Sequence, residues 1–245
     1  MLWSSIRHAD GDLVRIEGGV VRLRVSQRAR RVSLRVDRAA GEVIAVAPSV
    51  RRLADAAAFA LERRQWVAER LAELPTKRPF RSGEVICIFG QPAELGWAPG
   101  RASIEASTWE CGARLPLDAD DAAFSRAVVG LLRRESLAWF RRRCEVHCAT
   151  LRVATPRISI MNARTRWGSC SQGTRGRPAS IRFSWRLALA PPATADYVAV
   201  HECAHLLEAN HGPRFWAHVR SIVGDERPHR RWLRREGAAL HGFGV

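Results

Sequence analysis

Within HECAHLLEANH, residues 201–211, three of the chain's eight histidines fall close together, and a glutamate follows the first. On a helix of about 100° per residue, His201 and His205 differ by about 40°, so both imidazoles project from one face. Glu202 is offset by about 100° and points beside a shared ion rather than onto it. Tyr197 lies one turn earlier on the ligand face and Glu208 one turn later. The third ligand is read as His211, because Asn210 before it and Gly212-Pro213 after it suit a helix end that folds back.

Two histidines from one helix with a glutamate alongside is the zincin pattern. In metzincins the same spacing to a third histidine needs a glycine seven residues after the first. Here that position is Glu208, so the turn must come later, near Asn210, which argues for a different zincin clan. The competing reading is a core helix with polar decoration. It fails on cost, because His201, Glu202 and His205 sit inside the apolar runs YVAV and CAHLL and would be expensive to bury without partners. One Zn2+ ion supplies those partners and keeps an open position for water, whose pKa it lowers toward about 7. Glu202 would accept the water's proton and pass it to the leaving group, while the ion polarises the substrate carbonyl. Hydrolysis of a peptide bond fits best, with a peptide or protein as substrate. The same constellation could attack the phosphoanhydride of a nucleotide.

These residues need elements to hold them. VVRLRVS (20–26), RVSLRVD (31–37) and EVIAVAP (42–48) read as a small antiparallel meander, the last two joined by the turn AAG. Its outward face carries Arg22, Arg24, Arg28, Arg31 and Arg35. Ser49 can cap a helix over about 51–73, with Trp66, Val67 and Leu71 on its apolar side. PTKRP (75–79) reads as a breaker and linker. EVICIFG (84–90) reads as a strand, with two short strands in 93–109. Asp120 to about Cys148 is helical, and RISIMN (157–162) and SIRFSW (180–185) are strands. Pro191 and Pro192 open the motif helix, which runs to about Ala209. Two further helices follow, the second ending the chain. The expectation is an α+β chain with an N-terminal lobe at 1–115, of meander plus helix, and a zincin-like catalytic domain at 116–245.

The chain has 245 residues, 47% of them hydrophobic, enough for a sizeable core. No apolar run approaches the roughly 20 residues that span a bilayer. The polar N-terminus lacks a signal-peptide core, so the expected location is the cytoplasm, with no membrane partner. Net charge is +16, and only Lys77 among the basic residues is lysine. The excess suits an anionic partner, nucleic acid or nucleotide, or else a solvated basic surface. Six cysteines without an export signal are expected to be reduced thiols. A second metal site in CEVHC (144–148) is conceivable, but half-buried helix cysteines are the better reading.

TRWGSCS (165–171), IRFSWRLALAPP (181–192) and DYVAVHECAHLLEANHGPRFW (196–216) together resemble the YgjP-like family of zinc metallopeptidases, akin to the SprT-like and WLM gluzincin-type proteases. The similarity covers most of the chain and is strongest over 157–240. It implies a SprT-like α+β fold, zinc on His201, His205 and His211, and Glu202 as general base. It also raises the reading of a protease that works near nucleic acid. Two departures stand out: Cys203 where the family usually has leucine, and TRGRPA (174–179) lengthening the RWGSC loop. Arg166, Trp167, Gly168 and Ser169 either bind substrate beside the metal or serve as a folding element. Tyr197 is expected to pack or orient a ligand. Phe215 and Trp216 are expected to dock the next helix and hold His211. Asp225 and Glu226 are possible outer partners of the site, while His218 and His229 read as ordinary polar residues.

Overall fold

The computed structural model describes residues 7–37, 40–74, 78–163 and 166–244. The expected features at 1–6, Ala39 and 75–77 (the polar N-terminus, part of the AAG turn and most of the linker) lie outside them. The chain is a mixed α+β protein. It forms two compact units, 1–76 and 77–245, so the division expected at 115/116 is not the one the packing makes.

The first unit holds β1 (Leu13–Ile16), β2 (Gly19–Val25), β3 (Ser33–Asp37) and β4 (Glu42–Ala47). The expected strands are present, but they do not form an antiparallel meander. The order is β1-β2-β4-β3, with β2 and β4 parallel from Val21↔Val43 to Val25↔Ala47. Burial explains the insertion. Five of β4's six residues are buried, so it needs a neighbour on each side, whereas β3 has no fully buried residue and takes the edge. The expected single helix breaks at Arg63 into α1 (Leu53–Glu62) and α2 (Arg64–Ala72), and Ser49 makes no side-chain cap. Leu53, Ala56, Ala57, Ala60 and Val67 close this unit's core over Val21, Leu23 and Val43. Arg24, Arg28, Arg31 and Arg35 are exposed, while Arg22 is paired with Glu42 at 2.8 Å.

In the second unit β5 (Val85–Ile88), β6 (Gln91–Ala98), β7 (Arg101–Ala106) and β8 (Trp109–Arg114) form an antiparallel meander. β8 adds a strand to those expected. Its long helix α3 (Asp121–Leu151) is capped by Asp120, whose carboxylate accepts from the Ala123 amide at 2.7 Å. The first half of α3 explains the unit boundary: Phe124, Val128, Leu131 and Leu132 bury Ile86, Ile88, Leu95 and Ile104 of the meander. A cut at 115 would expose both faces.

The second half of α3 packs against β9 (Arg157–Met161), β10 (Gly168–Ser171), β11 (Ser180–Ser184) and α4 (Pro192–Ala204), with Phe140 stacked on Phe183 at 4.1 Å. The strand order is β10-β11-β9, which leaves β10 at the edge. The short helices α5 (Pro213–Val223), α6 (Arg227–Arg235) and α7 (Gly237–Leu240) end the chain. No helix among the described residues is long and apolar enough to cross a membrane.

One ionic cluster ties α3 to α4. Arg143 donates twice to Asp196 at 2.6 Å, and His147 Nε2 lies 2.7 Å from the same carboxylate. Burial raises the Asp196 pKa, but His147 and Arg143 outweigh it and hold the group at about 2. A depressed carboxylate contributes stability that is present above its ordinary range and lost as pH falls through about 2. Asp196→Asn is expected to cost roughly 2 kcal/mol at neutral pH, less than a fully buried pair because solvent still reaches the carboxylate. Urea melts should show the variant and the parent converging near pH 2; an equal gap at both pH values would refute an ionic origin.

Candidate metal centre

The motif helix α4 opens with Pro192 in its first turn and is buried nearly all round, from Thr194 through Ala204. His201 near its end and His205 just after it are partly open toward a cleft. The helix ends at Ala204 rather than Ala209. Bonds from the Leu207 and Glu208 amides to the Ala204 carbonyl, both 3.1 Å, turn the chain there. Glu208 therefore does not sit one turn beyond His205. Its carbonyl folds back to His205 Nδ1 at 3.0 Å. The Gly212 amide then bonds the Asn210 carbonyl at 2.8 Å, and α5 begins at Pro213.

This return brings His211 over α4. Its Nε2 lies 3.0 Å from His201 Nε2, and donor nitrogens of His201, His205 and His211 all lie within 4.8 Å of one another. Two nitrogens on a tetrahedral zinc stand about 3.3 Å apart, so the set fits such an ion. Burial, then the neighbouring His205 and His211, pushes His201 down to about 3, which leaves it the neutral imidazole a metal requires. The far nitrogens are engaged as well: His201 Nδ1 is 3.5 Å from the Tyr197 hydroxyl, and His205 Nδ1 faces the Glu208 carbonyl. Such contacts aim a ligand's other nitrogen. Among the described residues this is the one group of three that could hold an ion. CEVHC forms no second site: His147 serves Asp196, and Cys148 lies 3.8 Å from Cys203 in the core.

Phe215 is the floor under the triad, with its ring 4.8, 4.5 and 4.7 Å from those of His201, His205 and His211. Trp216 flanks His211 at 5.8 Å. Glu202 is 6% exposed. Burial pushes its carboxyl up to about 7, against a lowering pull from Arg166. The cleft, about 480 Å³, is bounded by the triad and Glu202 on one side and by Arg166, Ser169 and Gln172 on the other. Arg166 forms no ion pair among the described residues. The Ser169 hydroxyl is buried without a partner among the described residues. Trp167 does not line the cleft; it stacks on His241 at 4.9 Å and covers Gly237. Gly168 lies against Glu202 so closely that a Cβ there would stand 2.4 Å from the carboxylate oxygen.

Several neighbours of the site escaped the sequence reading. Gln172 donates to the His205 carbonyl at 2.8 Å. His229 stacks on Tyr197 at 5.5 Å, and Arg230 lies 4.8 Å over Trp216, where its charge helps keep His201 and His211 neutral. The run of basic residues in α6 gave no sign of this. Asp225 and Glu226, weighed as outer partners, instead pair with Arg227 and Arg220.

A family model, "YgjP-like, metallopeptidase domain", matches residues 30–236. No curated protein and no solved structure matches the chain.

Proposed function

Because the chain belongs to the YgjP-like metallopeptidase family, we propose that it is a one-zinc peptidase, with His201, His205 and His211 as ligands and Glu202 as general base. The observation that carries this reading is the convergence of three imidazoles, donor atoms within 4.8 Å, beside a buried carboxyl. A zinc ion held there would supply Lewis acidity to the scissile carbonyl and to the attacking water.

The chain's own residues do the rest. Glu202, with a pKa near 7, accepts the water's proton and returns it to the departing amine at neutral pH. Tyr197 and the Glu208 carbonyl hold the imidazoles in the required tautomer. Arg166 faces the cleft, exposed, with hydrogen-bonding capacity for an extended substrate. Trp167 is assigned a packing role instead.

Purified chain is expected to carry one equivalent of zinc by elemental analysis, to cut peptides, and to leave nucleoside triphosphates intact. His205→Ala should lose the metal and the cleavage together. A folded parent chain that takes up no zinc and hydrolyses no peptide would end this reading.

A further inference from the structure

The sheet of the N-terminal unit ends on β3, which pairs with β4 on one side and with no strand on the other among the described residues. Two concavities flank that open edge and share Ser33. One, about 450 Å³, lies on the helix side and is lined by Arg31, Leu34, Phe59, Arg63 and Trp66. The other, about 500 Å³, lies on the opposite face, where Ser33, Val46 and Arg24 form one cross-strand row beside Arg35. Alternation along β3 sends Leu34 and Val36 toward the core and Arg35 into solvent, while Arg31, two residues before the strand, is exposed beside the helix-side concavity.

The charge at this edge is unneutralised. Arg28, Arg30, Arg31 and Arg35 are exposed and form no ion pair among the described residues, whereas Arg22, Arg24, Arg52, Arg64 and Arg70 each have a carboxylate. The one acid lining either concavity, Asp10, is occupied by the Val25 amide at 2.8 Å and by Arg24. Arg63 and Arg70 already cover the rings of Phe59 and Trp66, at 5.8 and 5.7 Å, which disfavours base stacking and with it single-stranded nucleic acid. A strand edge offers main-chain donors and acceptors to another strand.

We propose that β3 is a docking edge for an extended acidic segment of a protein partner. The segment adds to the sheet as a further strand, with apolar side chains toward Phe59 and Trp66 on one face, carboxylates toward Arg35 on the other, and a carboxylate for Arg31 where the edge begins. The site uses neither the triad nor Glu202, so it stands or falls apart from the peptidase reading.

The test uses the full chain carrying Glu202→Gln, so that the probe is not cut. The probe is a labelled, end-capped peptide alternating glutamate and valine, followed by fluorescence polarisation. Saturable binding is expected, weakened about tenfold or more by glutamine in place of the probe's glutamates and by Arg31→Glu with Arg35→Glu. Arg31→Gln with Arg35→Gln should give an intermediate loss, and the complex should slow amide exchange across Ser33–Asp37. Zinc content of the arginine variants should match the parent's. The proposal is overturned by equal binding of the glutamine peptide, by binding that leaves β3 exchange unchanged, or by no binding. Tighter capture of a charge-matched single-stranded oligonucleotide overturns it too, as does self-association through β3.

Discussion

Glu202→Gln is expected to keep its zinc and to lose peptide hydrolysis about a thousandfold. The amide matches the carboxyl in shape, so the packing against Gly168 survives, but it cannot take a proton from water. No ligand changes, which separates this variant from His205→Ala, where metal and activity should leave together. The variant should also be at least as stable as the parent. Glu202 is buried, with no hydrogen bond among the described residues to offset its desolvation, and a neutral amide costs less to bury than a carboxylate. Elemental analysis, kcat/KM on a peptide and a thermal melt check the three parts separately. Zinc lost with the activity would make Glu202 part of the metal seat. Parent-level turnover would send the search to another base.

Gly168→Ala should be nearly as damaging, about a hundredfold in kcat, although it adds a single methyl group away from the histidines. That methyl would stand 2.4–2.7 Å from the oxygen, Cγ and Cδ of Glu202, closer than packed atoms tolerate. Either the carboxyl swings away or β10 retreats from α4, and both misplace the base. Metal content should hold. The decisive readout is coupling: in a Glu202→Gln background the same substitution should do little more, because the residue it displaces no longer acts. Full additivity of the two losses would mean that Gly168 works through something other than Glu202.

The glycine illustrates what the sequence could and could not disclose. His201 and His205 share a face because helical period alone puts them there, and the turn residues around His211 mark where the chain can double back. Both are local rules, and the structure brings these three rings together. The close approach of Gly168 to Glu202 joins segments far apart in the chain, and RWGSC offered only a choice between binding and packing. The structure divides that motif, with Arg166 and Ser169 at the cleft, Trp167 on His241 and Gly168 against Glu202. The helix end at Ala204 was misjudged because Leu206 and Leu207 continue the apolar pattern while the backbone has already turned. Strand order failed for a related reason: alternation says which face of β2, β3 and β4 is inward but not which strand lies beside which. The buried run of β4 was the available hint that it needed two neighbours. The link from Arg143 and His147 to Asp196 was invisible, since each residue looked like ordinary helix decoration.

All three imidazoles and the Phe215 ring beneath them come from one short span, 201–215. Closing so small a loop costs little entropy, so the proposed zinc could be captured while most of the polypeptide is still unordered. Glu202 gains its wall only when β10 arrives from elsewhere in the chain. Metal capture during synthesis would then precede the ability to cut, and a nascent molecule could carry its ion without attacking its neighbours.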